Sequence, residues 1–589
     1  MTYPTEFYEN QIKKISKKLS KKSQTLNFLS FIRLIVFLVT IYLVYYFSNY
    51  ELWAFTTAVV GGSFFILLVS VYSNIKYQKN RLSMLLKINE TELRAFNQDF
   101  SFLETGNEFA NEEHYFSNDI DLFGDRSFFQ YINRTGTSPG KKLLASILLS
   151  NNTADIEAKQ EAVKEICDKP EWRQNFLSIA GLINAEVSVD TILSRIENYS
   201  PFITKKVARL PLIFSAISII IIVLTFSGIL PVIFLICNFI TGLGITGYYL
   251  KKTTRLSWFT SKTQNIFEQY SRLIKCIESE LFLSGLLKEE RSNVFIKAKK
   301  ASKSIKSFSN AIDALDQRNN IFVGLLGNGF FLWDLIQCYR IERWIKEHKK
   351  EIKYWFNCIT YFDAYISLGN FAFNHPEYSY PGIVSNEILI DAQDLGHPLI
   401  KKGNLVPNNF ILNKEKFFII TGANMAGKST FLRTVSFFIV MANSGLPVNA
   451  SKSIYSPVKL ITSMRTSDSL SKEESYFFSE LKRLKYIVEE VGENDYLIIL
   501  DEILKGTNSK DKAEGSEKFI EKLASTTSAG IIATHDLSLC DLAEKNNKVE
   551  NYYFDAYIKN DELSFDYKLK PGICKNMNAS YLLKKMGVI

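Results

Sequence analysis

The chain has 589 residues, with 70 Lys plus Arg against 61 Asp plus Glu and seven cysteines. That length exceeds what one hydrophobic core serves, so two or more domains are expected. A net charge of +9 fits anionic lipid or nucleic acid and is diagnostic of neither, while seven scattered cysteines without a CxxC pair indicate neither a disulfide framework nor a zinc site and fit a reducing cytoplasm.

Lys13, Lys14, Lys17, Lys18, Lys21 and Lys22 mark a basic N-terminal segment, 1–25. Phe28 to Phe47 follows as an apolar run whose one charge is Arg33, and Leu52 to Tyr72 as a second run with no charge. Each matches the roughly 20 residues that a helix needs to cross a bilayer. The first is too long for the apolar part of a signal peptide, and no small-residue cleavage site follows it. A transmembrane hairpin is therefore expected over 26–75.

The stretch 76–209 is read as a linker and the start of a helical domain. Leu210 to Leu250 is again uncharged and is interrupted by Ser227-Gly228 and Pro231. One helix of that length would extend about 60 Å against a hydrocarbon core of about 30 Å, so a second hairpin is expected over 210–250. Lys76, Lys79 and Arg81 follow the first hairpin; Lys205, Lys206 and Arg209 precede the second, and Lys251, Lys252 and Arg255 follow it. Both hairpin tips lack Lys and Arg. By the positive-inside tendency, everything except the tips is cytoplasmic, in a multi-pass protein of the cell (inner) membrane.

Over 251–385 long helices that return to the helical domain are expected. Ile266, Tyr270, Leu273, Ile277 and Leu281 step by three or four, the spacing of an amphipathic helix, read as a lever or coiled-coil arm. The basic run from Lys297 to Lys303 is read as a solvated helix face in preference to a phosphate contact.

The region 386–589 carries the chemistry. Phe417 to Ile420 is dense enough for a buried strand, and Leu432, Val435 and Ile439 recur at helical spacing beyond it. Between them lie Gly422, Ala423, Asn424, Met425, Ala426, Gly427, Lys428, Ser429 and Thr430. This is G-x-x-x-x-G-K-[ST], whose glycines let backbone N–H groups curl around a phosphate chain at a helix N-terminus. Lys428 is expected on the β- and γ-phosphates of ATP, and Ser429 as an oxygen ligand of Mg²⁺. A second apolar run, Tyr496 to Leu500, ends in Asp501-Glu502: Asp501 is expected in the metal's shell, Glu502 as the base that orients or deprotonates water. A third, Ile531 to Thr534, ends in His535, a candidate γ-phosphate sensor.

These residues resemble the ATPase domain of the MutS family of DNA mismatch repair. TGANMAGKST is similar to the family's phosphate loop, with Asn424-Met425 particular to it and Ala423 and Ala426 where proline and glycine are usual. Gly445 to Ala450, Val406-Pro407-Asn408, the DEI run through Gly506-Thr507 with Leu504-Lys505 at its glycine-arginine step, and Phe565 to Leu569 with Pro571-Gly572 also resemble family segments. Ser475 to Glu480, SYFFSE, looks like the serine-containing signature, which implies that Ser475 meets the γ-phosphate held by the other subunit of a homodimer. Leu122-Phe123-Gly124, Arg134 to Leu144, Gln160, Phe362-Asp363-Ala364 and His397-Pro398 resemble the helical core and the entry to the ATPase; His397 is taken as structural.

The resemblance implies an α/β P-loop NTPase (ABC-type ATPase) C-terminal domain on an all-α MutS-like core and lever domain, here with four transmembrane helices in two hairpins. The N-terminal hundred residues are largely membrane hairpin and leave no room for domains that read mismatches. DNA as a partner rests on the resemblance alone, with no mismatch specificity expected. A transporter-like ATPase that couples the nucleotide cycle to the hairpins is the alternative; SYFFSE in place of an LSGGQ-type signature, and Arg33 as the one intramembrane charge, weigh against it.

Overall fold

The computed structural model describes residues 4–184, 187–295, 300–465, 476–492, 494–504, 508–559 and 562–575. Ser475, Lys505 to Thr507, and Lys297 to Lys299 of the basic run lie outside the described residues.

Two long helices open the chain, Pro4–Tyr46 with 43 residues and Glu51–Phe96 with 46. The basic segment expected to stand apart over 1–25 is the first half of the same helix as the apolar run, because no Gly or Pro interrupts Thr5 to Tyr46. The pair packs closely where Gly61 faces Thr40, leaving no space for a Cβ. A second apolar pair, Lys205–Phe226 and Val232–Ser261, is separated at Ser227 to Pro231. These four helices are long and apolar enough to cross a membrane, and the most apolar window is 0% buried in the first two and 17% buried in the others. The sequence reading did not foresee a further apolar helix, Ile321–Phe331, set at 86° to Trp333–His348.

The helical core holds the membrane-type helices at their charged ends. Tyr8 is 1% exposed; its hydroxyl donates to Asn374 Oδ1 at 2.7 Å, and Phe7 and Tyr8 set ring edges against Phe373. Glu92, near the end of the second helix, pairs with Arg134 at 2.6 Å with both side chains buried and accepts from Asn374 Nδ2 at 2.9 Å. Both helices of the first hairpin therefore end on Asn374, the last residue of the 23-residue helix Ile352–Asn374.

Asp363 on that same helix closes the core. Its carboxylate accepts from Gly136 N at 2.9 Å, Thr137 N at 2.8 Å and Thr137 Oγ1 at 2.6 Å, and Thr137 in turn caps the helix Ser138–Leu149 by accepting from Gly140 N. Two stretches 226 residues apart are joined at one carboxylate. The Gln264–Ser279 helix buries Ile266, Tyr270, Leu273 and Ile277 as its spacing predicts, but also Phe267 and Ile274, and it ends before Leu281, which is 72% exposed. It is a core helix of 16 residues packed against Ala301–Asp316, and so differs from the projecting arm expected: bulky apolar residues beside the periodic stripe widen the buried face.

Among the described residues ten strands follow: β1 Gly382–Ile383, β2 Ile388–Leu395, β3 Asn408–Asn413, β4 Phe417–Gly422, β5 Lys452–Tyr455, β6 Lys459–Ser463, β7 Tyr496–Asp501, β8 Ala529–Ala533, β9 Val549–Lys559 and β10 Glu562–Pro571. One sheet runs β1-β5-β2-β3, the other β10-β9-β4-β8-β7-β6, the latter parallel except for β10. Alternate residues of its central strands pack on opposite faces. Phe418, Ile420, Leu497, Ile499 and Ile531 join the cluster containing the helix Lys428–Asn443, while Ile419, Ile498, Leu500 and Ile532 join Leu484 and Ile487 of Tyr476–Val491 and Ile520 of Ser509–Ala524. A sheet covered on both faces explains why these strands read as unbroken apolar runs.

Burial pushes the Asp363 carboxyl up to about 6 from 3.8 against the pull of its three donors. A native value above the ordinary one means that the folded state binds the proton more tightly, so this group erodes stability as pH rises from about 4 to about 6. Asp363→Ala, which orphans the three donors, should cost about 2 to 4 kcal/mol, and Asp363→Asn should both destabilise and flatten that part of the profile. Thermal unfolding of parent and variants from pH 4 to 8 measures both; an Asp363→Ala protein as stable as the parent would remove the clamp from the account.

Candidate functional site

Strand register brings the site together. Ile420 of β4 and Asp501 of β7 both pair with Ala533 of β8, so the glycine-rich loop, the Asp501-Glu502 pair and Thr534-His535 leave the sheet at one level on its carboxyl edge, where open α/β sheets bind ligands. Gly422 has φ +149°, and a Cβ there would lie 2.7 Å from Phe554 O; Gly427 has φ +103°, with Tyr567 Cδ1 at 3.1 Å. Only glycine turns the backbone this way without strain at so close an approach. Gly427 releases the chain into the 16-residue helix Lys428–Asn443, whose first N–H groups and dipole face the loop.

Lys428 is 5% exposed. Its ammonium donates to Gly422 O at 2.8 Å and Ala423 O at 3.0 Å and lies 3.2 Å from His535 Nε2. Burial pushes its pKa down, opposed by the nearby Asp501 and Glu502. Ser429 Oγ donates to Asp501 Oδ2 at 2.6 Å. His535 Nε2 also lies 2.8 Å from Glu502 Oε1. One imidazole nitrogen either accepts from Lys428 or donates to Glu502, so the ring joins the lysine and the glutamate in alternative tautomers.

Glu502 itself sits at φ +50°, its N–H donating to Ala533 O at 2.9 Å. Two residues on, Leu504 at φ +58° donates its N–H to Glu480 Oε1 at 2.6 Å. Glu480, the buried last residue of the SYFFSE stretch, thus braces the turn that aims Glu502, a part the sequence reading did not assign to it. The cavity at this edge measures about 860 Å³ and is lined by Ala423 to Thr430, Asp501, Glu502 and His535.

Its remaining walls were not found from sequence. Leu405, Val406, Asn408, Phe554 and Tyr567 face the same cavity. Asn408 accounts for Tyr567: its Nδ2 donates to Tyr567 O at 3.0 Å and its Oδ1 accepts from Leu569 N at 2.8 Å, pinning an irregularity in the β9–β10 pairing that leaves Tyr567 at φ +54° beside Gly427. A bulge of this kind has no periodic signature. His397 also lines the cavity. Burial pushes its pKa down to about 4, helped by Arg433, so the ring is neutral; Nδ1 accepts from Leu399 N and the ring sits edge-on to Phe437.

A second cavity, about 550 Å³, lies away from this edge among Arg272, Lys275, Lys300, Lys303 and Lys306. Among the described residues no group of three or more His, Cys, Asp or Glu side chains is placed to hold a metal ion by itself.

The doubly covered parallel sheet, the glycine-released helix N-terminus and the lysine and carboxylates at its mouth define a P-loop nucleotide-binding domain. Residues 418–586 match the family model for MutS domain V. Over 348 residues the chain is 28% identical to the DNA mismatch repair protein MutS of Desulfatibacillum aliphaticivorans, covering 57% of this chain and 34% of that protein. It is 32% identical over 207 residues to the protein of the same name from Persephonella marina, covering 34% of this chain and 23% of the other. It is 31% identical over 193 residues to human MutS protein homolog 4, covering 31% of this chain and 20% of that protein. Residues 418–586 carry this likeness to MutS domain V, and the chain spans about a third or less of the length of these relatives.

Gly427→Ala should force a Cβ into the left-handed region against Tyr567 and weaken binding of a fluorescent ATP analogue at least tenfold, about 1.4 kcal/mol, whereas Gly403→Ala, where a Cβ meets nothing within 4 Å, should leave it unchanged. Titrations of both variants side by side decide this; equal affinities would mean that the loop does not need its present backbone.

Proposed function

We propose that this protein is a membrane-anchored MutS-like ATPase that binds and hydrolyses ATP in a homodimer with composite sites, acting on DNA or another elongated partner without reading mismatches. The convergence of Lys428, Ser429, Asp501, Glu502 and His535 on one cavity carries the reading.

The site fits its expected ligands. Gly422 and Gly427 turn the loop at φ +149° and +103° onto the helix N-terminus, where its N–H groups can meet phosphate, and two neighbouring oxygens, from Ser429 and Asp501, suit a hard cation that takes its other ligands from phosphate and water. Mg²⁺, when bound there, supplies neutralisation of the phosphate charge. On binding, Lys428 exchanges the carbonyls of Gly422 and Ala423 for phosphate oxygens. That withdraws its contact from His535, whose Nε2 then serves Glu502 alone or turns to the γ-phosphate. Glu502 orients the attacking water and accepts its proton, held at the correct angle by the Glu480 brace on Leu504. From the partner subunit the family resemblance brings a serine equivalent to Ser475 onto the γ-phosphate.

Membrane anchoring is supported by four apolar helices with exposed flanks, Phe28, Leu38, Phe64 and Ile66 among them, and by the Lys and Arg clusters at the ends away from the hairpin tips. This orientation puts the ATPase on the cytoplasmic side of the cell (inner) membrane. The groove between the Gln264–Ser279 and Ala301–Asp316 helices, where Lys275, Lys300 and Lys303 stand beside Arg272 and Lys306 paired to Glu268 and beside Glu278, carries a net positive charge that suits a polyanion.

Lys428 meets charge already present on the nucleotide, whereas Glu502, paired with His535, meets the attacking water and not the nucleotide. Lys428→Ala should therefore lose ATP affinity, while Glu502→Gln should retain ATP, accumulate the closed dimer and lose on the order of 10² to 10⁴ in turnover. Affinity, turnover and dimer fraction measured together test this, and a Glu502→Gln enzyme within about threefold of the parent rate sinks the base assignment. Duplexes with and without a mismatch, compared at one stated salt concentration, should bind alike. A preference above about tenfold, or 1.4 kcal/mol, overturns that part of the reading.

A further inference from the structure

The Ile321–Phe331 helix, IFVGLLGNGFF, contains no charged residue. Ile321 and Phe322 are 78% and 77% exposed, and Leu325 and Leu326 on the next turn add to the same uncovered surface. Scattered exposed apolar side chains need no explanation, but a contiguous face does. At about 1.5 Å per residue the helix is about 16 Å long, half of a hydrocarbon core of about 30 Å. Its continuation, Trp333–His348, is set at 86° to it and leads back to the charged end of the second hairpin, where Glu342 accepts from Tyr199 Oη, Phe202 N and Ile203 N just ahead of Lys205, so the bent pair enters and leaves on one side.

The last turn of Ile321–Phe331 is built into the second hairpin, while the first two turns stay uncovered. Gly329 meets Gly242 of Val232–Ser261 backbone to backbone, with no space for a Cβ on either, and Phe330 packs on Phe239 with ring centroids 5.1 Å apart. Gly242 lies about 12 Å along the helix from Leu250, the end of the uncharged segment. Ser215 Oγ of the other hairpin helix donates to Phe331 O at 3.3 Å. The short helix is thus seated against the end of the hairpin that carries Lys205, Lys206, Arg209, Lys251, Lys252 and Arg255, and its exposed face continues the hairpin's own exposed apolar surface, Leu212, Ile213 and Ile240 included.

Polar groups at its two ends find hydrogen-bond or ion-pair partners inside the protein. Asn320 caps the first turn, its Oδ1 accepting from Phe322 N and Val323 N. At the far end Leu332 turns at φ +52°, its N–H donating to Asn328 O. Asn328 Nδ2 donates to Asp334 Oδ1 at 3.1 Å, Asp334 N donates to Asn328 Oδ1 at 2.9 Å, and Arg318 pairs with Asp334 Oδ2 at 3.2 Å. Arg318 also donates to Thr253 and Thr254 of the hairpin. Non-helical backbone at membrane depth is tolerated where protein covers it in this way, as in re-entrant segments.

We infer that Ile321–Phe331 is a re-entrant half-helix that lies in the cytoplasmic leaflet beside the second hairpin, its Phe322 and Leu325 face in contact with lipid acyl chains. The inference rests on the membrane reading above and adds a third membrane element, one that belongs to the helical core in sequence.

Photo-crosslinking of the full chain in phospholipid liposomes tests it, with benzoylphenylalanine placed singly at Phe322, at Phe64 of the first hairpin, and at Tyr354, an exposed aromatic position of Ile352–Asn374. Lipid adducts counted by mass spectrometry should be at least tenfold more abundant at Phe322 than at Tyr354 and comparable to those at Phe64. Adducts at Phe64 with none at Phe322 overturn the half-helix and leave the anchor standing. Protein adducts at Phe322 in place of lipid also overturn it, by making this face an interface with a second copy. Absence of lipid adducts at Phe64 as well overturns the membrane reading on which it depends.

Discussion

The register of β7 and β4 against β8 is the constraint on which the nucleotide site depends. Side chains in a strand alternate faces, so a slip of one residue in β7 would move Ile498 and Leu500 out of one apolar layer and Leu497 and Ile499 out of the other, and would carry Asp501 away from Ser429. Burial of both sheet faces penalises every such slip several times over. The chemistry therefore needs no dedicated device to align three loops distant in sequence; the cost of exposing isoleucines aligns them. Left-handed backbone lies at the outlets of these strands, at Gly422, Met425, Gly427, Glu502 and Leu504, and at Tyr567 in the β9–β10 irregularity, where it shapes the cavity without disturbing the layers beneath.

A second set of contacts binds the apolar helices to the core. Tyr8, Glu92 and Arg134 meet around Asn374, and Asp363, eleven residues earlier on the same helix, holds the Gly136-Thr137 turn. Tyr8, Glu92 and Asp363 are buried, Asn374 is half-buried, and the groups satisfy one another, which is the condition under which polar clusters fix one arrangement. Beyond Asn374 the chain passes through Ser379, bridged to Val448, into the small sheet that flanks the ATPase. Hairpin, core and nucleotide domain thus share one helix.

How much of this could be read from the chain differed by element. The apolar helices and the three central strands were legible because length and unbroken apolarity each have few competing explanations. The phosphate loop, Asp501, Glu502 and His535 were named as candidates from motif and strand position, and the fold places all of them at one cavity. The cavity's outer wall was not legible: Tyr567 arrives through a bulge held by Asn408, and Glu480 acts on a backbone amide, so neither leaves a periodic trace. Leu281 was misassigned because it continued a spacing beyond the point where the helix stops. Ile321–Phe331 escaped notice because eleven residues fall short of any spanning window.

The 43-residue helix Pro4–Tyr46 runs unbroken from Tyr8, wedged against Phe373, to the tip of the first hairpin. At about 1.5 Å per residue it is a rod about 65 Å long, and neither glycine nor proline gives it a joint. A rod of that kind cannot absorb tilt locally. If its apolar half is held by lipid, a change of about 5° in its inclination displaces the other end by about 6 Å over that length, enough to shift the Asn374 junction by more than the width of a hydrogen bond. Bilayer thickness and nucleotide state would then press on the same few side chains from opposite ends.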